Sequence, residues 1–121
     1  MKKKHSFLTK NIIIASDHAG FVLKELIKKR LENLGLNILD LGVDNKKVSV
    51  DYPTYAKKLS KKINSKNMGI LICGSGIGMS IASNRFKNVR SALVNSSTLS
   101  KLSRKHNNAN IICLAARFVT K

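Results

Sequence analysis

The chain has 121 residues, 43% of them hydrophobic, enough to build one packed α/β domain. It carries 23 Lys and Arg against 6 Asp and Glu, a formal charge of +17. One proline and no tryptophan exclude a proline-rich linker protein; Cys73 and Cys113 form no C-x-x-C pair for a zinc knuckle, and two cysteines in all do not suggest a disulfide framework.

The six acids are Asp17, Glu25, Glu32, Asp40, Asp44 and Asp51, whereas 13 of the 23 basic residues follow Asp51. Such a field draws anions, from sugar phosphates to nucleic acid or acidic lipid, or it simply reflects a biased composition. Nucleic acid is disfavoured, because the second half has only Phe86 and Phe118 as aromatic stacking groups. Sparse cysteine usage points to a reduced, cytoplasmic setting. The basic residues 1–10, including His5, read as a flexible extension with no catalytic part. No apolar run reaches the length of a membrane span.

In chain order, Ile12–Ala15 is a β-branched run that ends at Ser16-Asp17-His18-Ala19-Gly20, a buried strand leading into a polar loop. Leu23, Leu26, Ile27, Leu31 and Leu34 then make one helical face, closed by Gly35. Leu36–Leu41 predicts a second strand and 43–51 a loop. Asp51 is placed to cap a helix whose first turn holds Tyr52 and Pro53, with Tyr52, Tyr55, Ala56, Leu59 and Ile63 on one face. Met68–Cys73 predicts a third strand, followed by a glycine loop and a helix to about Phe86. Ser91–Val94 predicts a fourth strand, Ser97–His106 a helix with Leu99 and Leu102 inward, and Asn110–Ala115 a fifth strand.

This alternation implies a three-layer αβα sandwich, a Rossmann-like, doubly wound fold with a parallel sheet of about five strands. In such sheets ligands bind beyond the carboxyl ends of the strands, so the loops after the first, third and fifth strands are the places for chemistry.

Gly74-Ser75-Gly76-Ile77-Gly78 joins a strand to a helix. Its small residues let main-chain N–H groups approach an anion, or else serve only a tight turn. The spacing is not G-x-G-x-x-G, no acid follows for a ribose hydroxyl, and no Walker lysine is present, so nucleotide cofactors are disfavoured. Cys73 directly precedes this loop, where open amides favour a thiolate able to take a proton α to a carbonyl; the alternative is a packed strand-end cysteine. Cys113, between Ile112 and Leu114, reads as core. Asp17 and His18 set an acid and an imidazole at the ligand edge, and His106 with Asn107 closes the fourth helix as catalyst or cap.

Four segments in order closely resemble the ribose-5-phosphate isomerase B family, which is related to the galactose-6-phosphate isomerase subunits. They are Ser16–Lys24, Asp51–Ala56, Gly69–Arg85 and Leu102–Asn110. The resemblance implies interconversion of ribose 5-phosphate and ribulose 5-phosphate, with galactose or allose 6-phosphate as alternative substrates. It implies Cys73 as the base working through a cis-enediolate and Ser75 as a proton shuttle between the sugar oxygens. Amides of Gly74, Gly76, Ile77 and Gly78 would form the anion hole. His106 would open the sugar ring, paired with Asp17. Asn107 and Tyr52 would touch the sugar, and His18 and Arg117 the phosphate. No metal or organic cofactor is implied. The partner implied is a second copy of the chain, in a homodimer with a shared site or a tetramer built from it. Family members continue for a further helical segment bearing phosphate-binding arginines. Residues 11–121 are therefore expected to form a domain without that segment and with weaker phosphate binding, as a truncated noncatalytic protein, a partner-dependent one or a shortened but working one.

Overall fold

The computed structural model describes residues 11–118. The expected basic extension lies outside the described residues. β1 (Asn11–Ser16) is buried from its second residue onward. A single 3-10 turn, His18–Gly20, leads into α1 (Phe21–Asn33), and Gly35 follows that helix at φ +86. β2 (Ile38–Asp40) is shorter than the predicted strand. Next come α2 (Tyr52–Ser60), β3 (Asn67–Cys73), α3 (Ile77–Ser83), β4 (Ser91–Leu93), α4 (Ser97–Asn107) and β5 (Ile111–Ala115).

All four strand pairings are parallel, in the order β2-β1-β3-β5-β4. The central strands β1, β3 and β5 read as continuous apolar runs because both of their faces are covered. On one face Ile13, Ala15, Leu71, Cys73, Ile111 and Cys113 pack beneath Ala56, Leu59, Ile63 and Met79, from α2, the residues just after it, and α3. On the other face Ile14 and Ile72 meet Leu23 and Ile27 of α1. Leu59 is wholly buried; a side chain of that kind contributes about 1.5–3 kcal/mol of transfer free energy.

Several predicted contacts differ. Leu99 and Leu102 of α4 are 46% and 41% exposed, not inward. The helix instead buries Ser103, its hydroxyl bonded to the Ser100 carbonyl. On α1, Leu34 is exposed past the end of the buried face, and on α2 Tyr52 lies at the rim while Ala56 and Leu59 are buried. Asp51 stands at the N-cap position of α2, but its side chain makes no capping bond. α3 stops at Ser83 rather than Phe86, because Asn84 turns its amide onto the main chain of Ser91 in both directions, at 2.8 and 2.9 Å.

The chain runs outward from β1 to β2, then crosses back to β3. The loops after β1 and β3 therefore leave neighbouring strands toward opposite faces, which in such sheets is where a ligand crevice forms at the carboxyl ends. That crevice is bounded by Asp17-His18 on one side and by the Gly74–Gly78 loop on the other.

Candidate active site

Cys73 ends β3 with its side chain toward the α2–α3 face, 4% exposed. Its sulfur is not sealed off from the glycine loop: the Gly76 N–H donates to Sγ at 3.2 Å. Gly76 reaches that position at φ +76, and a Cβ there would lie 2.5 Å from Leu93 Cδ1. Only glycine fits the turn that aims an amide at the sulfur. Ser75 is exposed, and its Oγ accepts the Ile77 N–H at 3.2 Å, leaving its own O–H to donate elsewhere. Gly74, Gly76 and Gly78 therefore present backbone rather than side chain to whatever lies above the loop.

Two distant residues converge on this loop. The Tyr52 ring covers Gly78 so closely that a Cβ on that glycine would sit 2.6 Å from Tyr52 Cζ. From the turn after β5, the Arg117 guanidinium lies against Gly74, its Cζ 3.0 Å from where a Cβ would be. The Arg117 main-chain N–H donates to the Gly74 carbonyl at 3.1 Å. A cation thus borders the loop, with its side chain open to solvent.

Across the crevice, Asp17 is buried and its Oδ1 accepts the Gly20 N–H at 3.1 Å, capping the 3-10 turn. Its own N–H donates to the Ile72 carbonyl at 3.2 Å, which ties the end of β1 to β3 one residue before Cys73. His18 Nδ1 accepts the Val50 N–H at 3.1 Å. An accepting Nδ1 leaves the proton of a neutral ring on Nε2, as a donor. Cys113, the other free thiol, is a contrast. It is fully buried beside Ser91 Oγ at 3.0 Å, and burial pushes its thiol up to about 11, with the hydrogen bonds from Ser91 and Ser83 acting weakly against that rise. It stays protonated at neutral pH and serves the core. Among the described residues no three His, Cys, Asp or Glu side chains cluster as metal ligands.

Residues 12–121 match the family described as Ribose/Galactose Isomerase. The probable ribose-5-phosphate isomerase B of Mycoplasma genitalium is 44% identical over 113 residues, covering 91% of this chain and 74% of that protein. The chain belongs to this isomerase family. Ribose-5-phosphate isomerase B of Escherichia coli is 36% identical over 112 residues, covering 91% of the chain and 74% of its own length. Among solved structures of the family, ribose-5-phosphate isomerase B from M. genitalium with bound ribulose-5-phosphate aligns with a TM-score of 0.89 at 43% identity, over 93% of this chain and 76% of that one. The enzyme from Anaplasma phagocytophilum gives 0.89 at 45% identity, over 93% and 78%.

Within one chain of this isomerase family, the expected Asp17–His106 pair does not form. α4 starts beyond the carboxyl end of β4 and runs back to the amino edge of the sheet, where the Asn107 carbonyl accepts Arg90 Nε at 2.7 Å just before β4 begins. Cys73 pairs with Ala115 at the opposite, carboxyl edge. His106 and Asn107 therefore stand about a strand length away from Cys73, and Asn107 lines a separate cavity of about 340 Å³ with Asn84, Arg90 and Ser91. The chain does bring together Asp17, His18, Tyr52, Cys73, Ser75, the loop glycines and Arg117. Sequence reasoning passed over Val50, whose amide orients His18, and Lys24 with Asp40. The first carries no side-chain signal. Lys24 was visible only as a charge on an otherwise apolar helical face.

Proposed function

We propose that the chain interconverts ribose 5-phosphate and ribulose 5-phosphate by moving one proton between C1 and C2. The observation that carries this reading is the Cys73 sulfur with a main-chain N–H aimed at it, at the head of a glycine loop. As thiolate, Cys73 takes the C2 proton of the open aldose, and the electron pair becomes a cis-enediolate. The protonated sulfur, which exchanges its hydrogen with water, then protonates C1, while the Ser75 hydroxyl moves a proton from O2 to O1. Amides of Gly74, Gly76, Ile77 and Gly78 bear the developing oxyanion. His18 and Arg117 hold the phosphate, and Tyr52 closes over the sugar. Binding by guanidinium and imidazole N–H groups is charge-assisted and directional.

His106 and Asn107 act in the partner's site of a homodimer, His106 opening the furanose and Asn107 binding the sugar. Their place at the amino edge, far from their own Cys73, supports this reading over a site built from one chain. The protein works in the cytoplasm, where the thiol stays reduced.

An isomerase assay on ribose 5-phosphate, with galactose and allose 6-phosphates in parallel, tests the proposal. Conversion of the pentose phosphate is expected. Conversion of a hexose phosphate alone would move the substrate within the same chemistry, and no conversion of any would overturn the reading.

A further inference from the structure

Lys24 lies in the first turn of α1 and is fully enclosed, at 0% exposure. An ammonium in that position is costly unless paired, and an apolar side chain of similar volume often stabilises a fold as well or better. A buried lysine therefore calls for a reason beyond stability. Its Nζ donates to Asp40 Oδ2 at 2.6 Å and to Glu25 Oε2 at 2.7 Å, and lies 5.3 Å from the centre of the Phe21 ring. Lys28 adds a third contact, to Asp40 Oδ2 at 3.1 Å.

The other oxygen of Asp40 leads to the active site. Oδ1 accepts the Gly42 N–H at 2.9 Å. The Gly42 carbonyl accepts the Ser16 N–H at 2.8 Å, and the Val43 N–H donates to the Ser16 carbonyl at 3.2 Å. Ser16 is the residue before Asp17-His18. From Val43 the chain continues to Val50, whose N–H meets His18 Nδ1. Both the main chain that carries His18 and the amide that fixes its ring thus depart from one turn, to which Asp40 is bonded through Gly42 while Lys24 makes the shortest contact to its other oxygen.

We propose that the Lys24–Asp40 ion pair is a positioning device for His18: it fixes the Gly42–Val43 turn, and through it the direction in which the His18 Nε2–H meets the substrate's phosphate. The phosphate role of His18 rests on the function proposed above. The effect on the ring itself does not. Neither Lys24 nor Asp40 touches substrate.

The test uses Lys24→Met and, as the milder change, Asp40→Asn, whose single amide oxygen can serve Lys24 or Gly42 but not both. Ring ¹⁵N shifts report the His18 tautomer, and steady-state kinetics on ribose 5-phosphate separate KM from kcat. The wild type is expected to hold the Nε2-protonated tautomer and the variants a mixture. KM is expected to rise about tenfold with kcat changed by less than about twofold. A folded variant with a lowered melting temperature, an unchanged tautomer and an unchanged KM would overturn the proposal and leave a purely structural pair. If the wild type turns over no sugar phosphate, the functional reading fails on its own, and the tautomer comparison still decides whether the pair positions His18.

Discussion

Arg117 reaches the glycine loop from the end of the described chain, and its guanidinium rests on Gly74. In the proposed function it makes a charge-assisted bond to phosphate, worth about 1.5–3 kcal/mol. Arg117→Ala is expected to raise KM for ribose 5-phosphate by about tenfold or more while leaving the melting temperature near wild type, since the side chain is exposed. Gly76 tests the loop from the other direction. Any side chain there meets Leu93 and must adopt φ near +76. Gly76→Ala is expected to lose about 1–3 kcal/mol in denaturant unfolding, and activity with it, because the amide facing Cys73 turns away. At this scale most of the site was legible. Cys73, Ser75, the glycines and Asp17-His18 announce themselves through local spacing, and the chain brings them together without help from distant signals. The Val50 amide was not legible, since a main-chain donor leaves no trace in a sequence.

Between elements, the joint from α1 to β2 depends on charge. Burial pulls the Asp40 carboxyl upward, but hydrogen bonds from Lys24, the Gly42 amide and Lys28 outweigh that effect and hold it below the ordinary carboxylate value. A carboxyl depressed in the folded state adds stability above its unfolded value, about 3.9, and that stability is lost as the pH falls through the depressed one. Unfolding free energy is therefore expected to decline on acidification below about pH 4, and Asp40→Asn to flatten that limb in urea titrations from pH 7 to pH 2. An equal slope in the variant would show that the joint does not depend on this carboxylate. The order and type of elements followed from periodicity alone. The inward placement of Leu99 and Leu102 did not hold: in this mostly polar helix Ser103 is the buried residue and both leucines stay exposed.

At the scale of the whole molecule, the candidate site residues fall at both ends of the sheet. Cys73 lies at the carboxyl edge, and His106 with Asn107 lies at the amino edge. Topology already implied this separation, since a helix following a parallel strand must return to the strands' starting edge. Local motif spacing hides it, because both ends look equally suited to chemistry. A shared site makes a quantitative demand on mixed dimers. Cys73→Ser and His106→Asn are each expected to be nearly inactive alone. Equal mixtures refolded together should recover about one quarter of wild-type turnover, because half of the dimers are mixed and each of those keeps one intact site. No recovery would point to a site built within a single chain.

Proton transfer by the Cys73 sulfur is most directly read by isotope exchange. Ribose 5-phosphate incubated with the protein in D₂O, followed by ¹H NMR, should lose its C2 proton to solvent deuterium and give ribulose 5-phosphate labelled at C1. Folded Cys73→Ser protein should leave the C2 signal intact over the same period. Exchange at the wild-type rate in Cys73→Ser would contradict the assignment of that sulfur as the base.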